Sequence, residues 1–512
     1  MTKMPVPPIR TSESLTLGRV TDAWSKPVLA YATEHPDHAT EHPAAAAHET
    51  IRRRFGLMSV FAVAFAFISP IIALYAIFDL GLGIAGPSFW WAFAVVLVGQ
   101  LLVALVFGEL SSRWPEEGGV YAWAGRLVGT RFAWCTGWVY IWTLLTLNSA
   151  AAFAASTFAA ALCGIDNPNT TTRLAFALAF IVAATAVNLV GRRLLEIFVV
   201  MSVICEVIGS LVVGTVLLLV HRNNDISVIF SGFSDGGAAY AAGPFLAAVA
   251  VVGWALIGFE SAGDLAAEVT EPERNVPIAQ IASLVLVAAT VMYAGLALVL
   301  AVPDLDAVAN GAVGDAILET IATNLGSNVV VPLTVVVCIG FTAGIAAVCT
   351  ALSRSVHAMA AFRSLPLSPI LVRRSITDDV PRPALVLTSL LACLLLALAV
   401  STGFYDVMIS MSTGGFYIAF LFPVAAALIT RLRGQWSRGR FSLGRTAGVI
   451  VNTAAAVWLV AEIVNISWPR AIGQPWYIEW GCLLMYLCTG LLGAVVFRQR
   501  REHISKGHYD DV

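Results

Sequence analysis

Residues 251–277 read VVGWALIGFESAGDLAAEVTEPERNVP. The stretch begins as an apolar run of the kind that crosses a bilayer, yet Gly253, Gly258 and Gly263 fall inside it together with Glu260 and Asp264. Glycine weakens a helix interior by about 1 kcal/mol relative to alanine. An ionisable side chain at bilayer depth costs on the order of 3 kcal/mol on insertion scales. Close packing of membrane helices on small residues accounts for the glycines but not for Glu260 beside them. A local break in the helix accounts for both, because unwound backbone is tolerated at membrane depth where it lines a protein-enclosed or watery cavity. Broken helices also turn backbone groups and half-helix ends toward whatever occupies such a cavity.

The rest of the chain supplies the membrane context. Of 512 residues, 58% are hydrophobic and 12% charged, with a mean hydropathy of +0.82. A soluble fold cannot hide that much apolar surface. Apolar runs of roughly 18–30 residues recur, each long enough to span a hydrocarbon core about 30 Å thick. Twelve spans are read at about 56–79, 89–110, 132–162, 174–190, 194–220, 244–268, 278–302, 329–352, 384–401, 405–430, 442–468 and 476–497. The fold class is therefore an all-α polytopic membrane protein with 12 transmembrane helices. No loop is long enough for a soluble catalytic domain, so function belongs to the bundle or its mouths.

Charge excludes several classes and orients the chain. The net charge of −2 offers no basic surface for nucleic acid. The eight cysteines (135, 163, 205, 338, 349, 393, 482, 488) form no CxxC pair or metal spacing and read as small buried hydrophobes, so no metal is expected. There is no HExxH, GxSxG or phosphate-cradling loop and no appended signalling domain. An enzyme is therefore not expected; a membrane-embedded enzyme or sensor is the weak alternative, and no cofactor is implied. Arginines cluster before span one (52, 53, 54) and after spans two (113, 126, 131) and four (192, 193). Further clusters lie between eight and nine (354, 363, 373, 374, 382), between ten and eleven (431, 433, 438, 440, 445), and after twelve (498, 500, 501). The alternate loops hold only Arg173, Arg222 and Arg470. By the positive-inside rule both termini are cytoplasmic. The excess of Arg over Lys and the abundance of Ala are those of a GC-rich bacterial genome, so a plasma membrane, here a bacterial inner membrane, is the expected location.

Residues 1–50 read as a disordered cytoplasmic tail. They repeat ATEHP at 32–36 and 39–43 and carry His35, His38, His42 and His48, which leaves a metal-binding tail as the alternative. No signal-peptide pattern precedes the first span, which is expected to direct insertion itself.

If the sixth span is broken, an inverted-repeat transporter requires a matching break in the first. Residues 59–78 read SVFAVAFAFISPIIALYAIF, with Pro70 in the middle directly after Ser69. Proline removes a donor and clashes with the preceding turn. A simple kink is one reading, but it falls five spans before the other irregular helix. The expected organisation is a five-plus-five inverted-repeat core with broken helices 1 and 6 over 51–435, two extra helices over 436–497, and a cytoplasmic tail from 498 to 512.

Three motifs in order then resemble one family. GWALIGFESAGDLAAEVTEPERNVPIAQ resembles the sixth helix of the amino acid–polyamine–organocation (APC) permeases. FGELSSRWPEEGGVYAWAGRLVG resembles their loop after helix two, and SRSVHAMAAFRSLPLSPIL their loop after helix eight, with Phe-Arg-Ser for the usual Arg-Asp-Gly. The helix-one segment ISPIIALYAIFDLGLGIAGP is most similar to the amino acid/choline transporter branch. The resemblance covers about residues 55–500 and implies alternating access around the two breaks. It implies that Trp254, Ala255, Leu256, Ile257 and Gly258 form the unwound part of helix six, that Glu260 lies next to the substrate, and that Trp254 closes over it. It also places Glu268 and Arg274 at the cytoplasmic end, in a gating or structural ion pair. The helix-one turn departs from the family: Ser69-Pro70-Ile71-Ile72-Ala73 replaces the glycine-rich turn whose amides hold an α-carboxylate. Bulky Ile71 and Ile72 narrow that approach, which leaves room for an amine or quaternary ammonium substrate.

The expected activity is secondary active transport of an amino acid or related amine, proton-coupled in preference to sodium, with exchange as the alternative. Candidate substrate-binding residues are Ser69, Ile71, Ile72, Asn148, Trp254, Ala255, Ile257, Gly258 and Glu260. Glu206 and Glu260 are the candidate coupling carboxylates, because burial disfavours the charged form and brings a carboxyl within reach of neutral pH. Glu206 could equally hydrogen-bond a neighbouring helix, as could Asn148. Trp254, Glu268 and Arg274 are the candidate gating residues. The partners expected are the small-molecule substrate, a coupling proton or other ion, and membrane lipids.

Overall fold

A computed structural model describes residues 56–504 apart from 117, 166, 376–379 and 471–474. The repeated pentapeptide and histidines of the N-terminal tail lie outside the described residues. Among those described, no strand is present, and 12 helices are long and apolar enough to cross a membrane. They run Leu57–Tyr75, Phe78–Arg113, Thr130–Leu162, Thr170–Val190, Arg193–Val220, Ile226–Asp264, Pro272–Ala301, Ser327–Ala361, Arg382–Thr402, Val407–Leu432, Arg445–Ser467 and Gly481–Ile504. They correspond one to one with the twelve spans read from the sequence.

The two largest differences in boundary have identifiable reasons. The second segment starts early because the far half of the first span continues as a helix over Phe78–Ala85. Gly86, at φ +60, ends it, and a tight turn Gly86–Phe89 leads into the long helix Trp90–Arg113. The sixth segment starts at Ile226, not 244. Its added part includes Ser231–Tyr240, of which no residue is buried and whose Gly237 leaves helical geometry at φ +52. A polar, glycine-rich sequence such as SGFSDGGAAY carries no apolar run, so periodicity could not find it.

Both breaks are present. The first span is helical over Leu57–Ile68, leaves the helix at Ser69 (φ 46, ψ 104), and resumes over Pro70–Tyr75. Pro70 takes the first position of the new half-helix, where its missing N–H costs nothing. The sixth span narrows to a 3₁₀ turn over Gly253–Leu256, is extended at Ile257 (φ −108, ψ 162), and turns at Gly258 (φ +104) before the short helix Ser261–Asp264. The two breaks face each other. A Cβ at Gly258 would stand 2.3 Å from Phe67 Cδ1 and 3.4 Å from Ile68 Cγ1, so glycine is required there for space as well as for its positive φ.

Around this centre the third span packs on the eighth and tenth, the fifth on the eighth, and the seventh on the first and second. The tenth span carries the eleventh, which also packs on the second.

Candidate functional site

The break in the first span is held by the fifth. Ser69 has a positive φ that non-glycine residues rarely adopt, a geometry that costs about 1–3 kcal/mol and persists only where its surroundings impose it. Its hydroxyl accepts from the Ile72 amide at 3.2 Å and donates to Glu206 Oε1. The second oxygen of Glu206 accepts from the Ile71 amide at 2.7 Å. One carboxylate thereby satisfies two donors at the start of the half-helix that begins at Pro70. Glu206 is 1% exposed and lies where the fifth span opens into a wide turn over Val207–Val212. That turn presents the Gly209 carbonyl, which accepts from the Tyr75 hydroxyl at 2.8 Å. The carboxylate was legible at depth in the sequence; the wide turn beside it carried no local signal.

The break in the sixth span has its own carboxylate. Glu260, 0% exposed, accepts from the Gly258 amide at 3.0 Å and from the Tyr140 hydroxyl of the third span at 3.1 Å. The Tyr140 oxygen also lies 3.2 Å from Asp264 Oδ2. Tyr140, missed by the sequence reading, is 1% exposed and Asp264 2%. Nothing in sequence spacing links position 140 to 260; an aromatic in an apolar span is ordinarily core.

Between the breaks is a small cavity of ≈ 20 Å³, enough for about one water molecule. The first span lines it with Phe67, Ile68, Ile72 and Ala73, the third with Leu147 and Ala151, the sixth with Trp254 and Ile257, and the eighth with Gly344 and Val348. The side chains that line it are apolar apart from the Trp254 indole, whose Nε1 is buried without a hydrogen-bond partner among the described residues. Gly344 makes room for Ile72: a Cβ there would stand 2.3 Å from Ile72 Cδ1.

The candidate residues therefore sort into groups. Ile72, Trp254 and Ile257 reach the cavity. Ser69 and Ile71 do not line it; their polar groups serve Glu206, and the Ile71 side chain fills the space left by Gly209 and Gly340. Ala255 is buried beside the break, and Gly258 abuts Phe67. Glu260 is turned to Tyr140 and Gly258, and does not line the cavity. Asn148 lies on the third span next to Leu147, but its Nδ2 faces Cys349 Sγ of the eighth span at 3.5 Å.

At the arginine-rich end the expected pairing of Glu268 with Arg274 is replaced by another. Glu268, at the end of the sixth span's unwound continuation, pairs with Arg354 of the eighth. Arg274 sits on the first turn of the seventh helix, exposed, 4.0 Å from Glu271. The reason is geometric: residues 269–272 turn the chain into the seventh helix, so Arg274 starts a new element and points to solvent while the eighth span runs past Glu268. A second pair, Glu109 with Arg431, is buried where the second and tenth spans end. Glu109 also accepts from the Leu443 amide at 2.9 Å, and the Arg431 guanidinium lies 3.9 Å from the centre of the Trp436 ring. Among the described residues no group of three or more His, Cys, Asp or Glu is arranged to hold a metal ion.

Comparison with known proteins places this architecture. A sequence model of the amino acid permease family matches residues 55–494. The chain is similar to the amino-acid permease BAT1 homolog of Oryza sativa subsp. japonica, 25% identical over 453 residues that cover 82% of this chain and 86% of the relative. It is similar to the GABA-specific permease of Saccharomyces cerevisiae, 24% identical, covering 82% and 76%. It is also similar to the choline transporter of the same yeast, 24% identical, covering 82% and 77%.

Proposed function

We propose that this chain, which belongs to the amino acid permease family, is a secondary active transporter that carries an amine-bearing substrate by alternating access and couples it to protons. The observation that carries the reading is the small, apolar-lined cavity between two facing helix breaks, with a buried carboxylate behind each break. At ≈ 20 Å³ the cavity is far below the roughly 300–1,000 Å³ of small-molecule sites. Admitting a substrate therefore requires the first and sixth spans to part from the third and eighth, on one side of the membrane at a time.

The substrate class follows from what the breaks still offer. The Ile71 amide and Ser69 hydroxyl, which an incoming carboxylate would need, are engaged by Glu206. What remains at the cavity is the Trp254 indole, the backbone and side chain of Ile257, and otherwise apolar walls. An indole face attracts an organic cation by roughly 2 kcal/mol when water is excluded. This favours a primary or quaternary ammonium without a carboxylate on the neighbouring carbon. The names of the two yeast relatives, a choline transporter and a GABA-specific permease, agree with that class. Ser69, Ile71 and Asn148 then act on the substrate indirectly, by fixing the walls.

Glu206 and Glu260 are the coupling groups in this reading. A carboxyl enclosed among apolar side chains can take a proton from one side and surrender it to the other when its enclosure changes. Trp254 closes the cavity, and Glu268 with Arg354 closes the arginine-rich mouth. We assign that mouth, and both termini, to the cytoplasm of a plasma membrane, because arginine accumulates on that side of every second loop.

The test is uptake into proteoliposomes of labelled choline, γ-aminobutyrate, α-amino acids and polyamines under an imposed inward proton gradient. Accumulation of one compound, abolished in Glu260→Gln, is the expected result. Exchange of preloaded compound without accumulation would make the protein an exchanger. Full accumulation by Glu260→Gln would remove Glu260 from the mechanism.

A further inference from the structure

One oxygen atom in the bundle is asked to serve two carboxylates. Tyr140 Oη lies 3.1 Å from Glu260 Oε1 and 3.2 Å from Asp264 Oδ2, and all three side chains are shut away from solvent. A phenol has one hydrogen to donate and lone pairs to accept. It can donate to one carboxylate only. The second contact is a hydrogen bond only if the other carboxyl carries a proton and donates it to the phenol oxygen. Were both carboxylates bare, one would face a lone pair at hydrogen-bond distance in a buried site, and the two charges would share one small volume.

We infer that Glu260, Tyr140 and Asp264 hold one proton between them, and that Tyr140 relays it from the carboxyl at the break to Asp264, which lies toward the arginine-rich side. The step balances. The O–H bond of the Glu260 carboxyl breaks as its proton passes to the phenol oxygen. The phenol O–H bond breaks as its own proton passes to Asp264. Tyrosine ends as it began, and the negative charge has moved from Asp264 to Glu260.

The surroundings give the relay a direction. Glu260 is hydrogen-bonded to Gly258, beside the Ile257 and Trp254 that line the cavity. Asp264 lies on the far side of the short helix Ser261–Asp264, four residues before Glu268 and its partner Arg354. Its Oδ1 approaches the turn at Gly119, which has φ +40 and where a Cβ would stand 2.6 Å from that oxygen. The other elements packed here contribute the Trp123 ring and the Gln280 amide against Gly263, the Phe416 ring against Tyr140, and Phe67 against Gly258. Arg354, the cation at this end of the sixth span, is bound to Glu268.

The inference rests on the proton-coupled reading for its purpose but not for its chemistry, so two measurements separate them. The first is infrared titration of the purified full chain, comparing wild type with Tyr140→Phe, Glu260→Gln and Asp264→Asn. The expected result is a carboxylic-acid carbonyl component at neutral pH that is lost in both Glu260→Gln and Asp264→Asn, while any component from Glu206 persists in both. Retention of the shared component at wild-type intensity in Asp264→Asn, or no such component in wild type, overturns the shared proton. The second is choline and γ-aminobutyrate uptake into proteoliposomes, with and without a proton gradient. Tyr140→Phe is expected to keep counterflow exchange while slowing gradient-driven accumulation by about a hundredfold or more, the lower range for removing a proton-transfer group. Wild-type accumulation and pH profile in Tyr140→Phe would overturn the relay. If Tyr140→Phe fails to fold, Asp264→Asn and Asp264→Glu decide: Asn must lose accumulation and Glu must restore it. A wild type with the shared component but no gradient-driven uptake would sink proton coupling while leaving the shared proton standing.

Discussion

Glu206 holds the Ile71 amide at 2.7 Å and takes the Ser69 hydroxyl on its other oxygen, so the fifth span fastens the first at its break. The contact joins residues 135 apart in sequence. It explains how Ser69 is kept at a positive φ without glycine, and why a bulky Ile-Ile pair can follow a break that otherwise calls for small residues.

Removing that fastening is expected to destabilise the protein in a graded way. Glu206→Ala leaves the Ile71 N–H and the Ser69 hydroxyl buried without an acceptor, a loss of about 1–3 kcal/mol for each group left unsatisfied. Glu206→Gln keeps one acceptor oxygen and the side-chain volume, so it should lose less. Thermal unfolding of the purified protein should rank wild type above Gln and Gln above Ala. An Ala variant as stable as wild type would show that the fifth span does not hold the break.

Gly258→Ala should be more damaging than any other glycine change in the sixth span. The residue sits at φ +104, and a Cβ would meet Phe67 Cδ1 at 2.3 Å, a contact that forces the first span to move. The backbone strain alone is of order 1–3 kcal/mol. Gly243, where a Cβ would meet nothing within 4 Å, is the control and should tolerate Ala within about 0.5 kcal/mol. Unfolding midpoints and initial uptake rates check both, and equal behaviour of the two variants would refute the assignment of Gly258 as the contact between the breaks.

The two breaks were legible because they violate local rules. Pro70 follows Ser69 in mid-span, and Gly258 stands two residues from a carboxylate in an apolar run. Spans were legible for the simpler reason that length and hydropathy are local properties. Partnerships were not. Glu206 announces itself as costly, yet nothing near position 206 names Ser69 and Ile71 as its partners. Tyr140 looked like one aromatic among many in the third span. Asn148 could be read as facing the cavity or as bonded to a neighbouring helix, and only the structure shows that it meets Cys349 of the eighth span. The family resemblance placed Arg274 with Glu268 in an ion pair, while the tertiary neighbour of Glu268 is Arg354, 86 positions away.

The buried pair of Glu109 and Arg431 should behave as a structural clasp. Each partner is almost fully enclosed, and Glu109 also receives the Leu443 amide. Removing one member of a buried pair leaves a charge uncompensated, at about 3–5 kcal/mol. Glu109→Gln and Arg431→Met should each lower the unfolding midpoint strongly, and the double variant should lose clearly less than the two combined. Strict additivity in that cycle would mean the two side chains do not interact in solution.

The pair of Glu268 and Arg354 should behave differently, because it is only part-buried and must open if the arginine-rich mouth opens. Water screens it, so its contribution is small, roughly 1 kcal/mol. That is enough to shift the balance between closed and open mouth about fivefold. The shift can be read without a known substrate. In a background with its eight native cysteines replaced, a cysteine at Val348 in the cavity wall should react with a membrane-impermeant thiol reagent applied from the arginine-rich side. Arg354→Gln and Glu268→Gln should each speed that reaction about fivefold, with little change in unfolding midpoint. The charge-swapped pair, Glu268→Arg with Arg354→Glu, should bring the rate back toward wild type. Faster labelling in the swapped pair than in either single variant would mean that packing around these side chains, not their attraction, keeps the mouth shut.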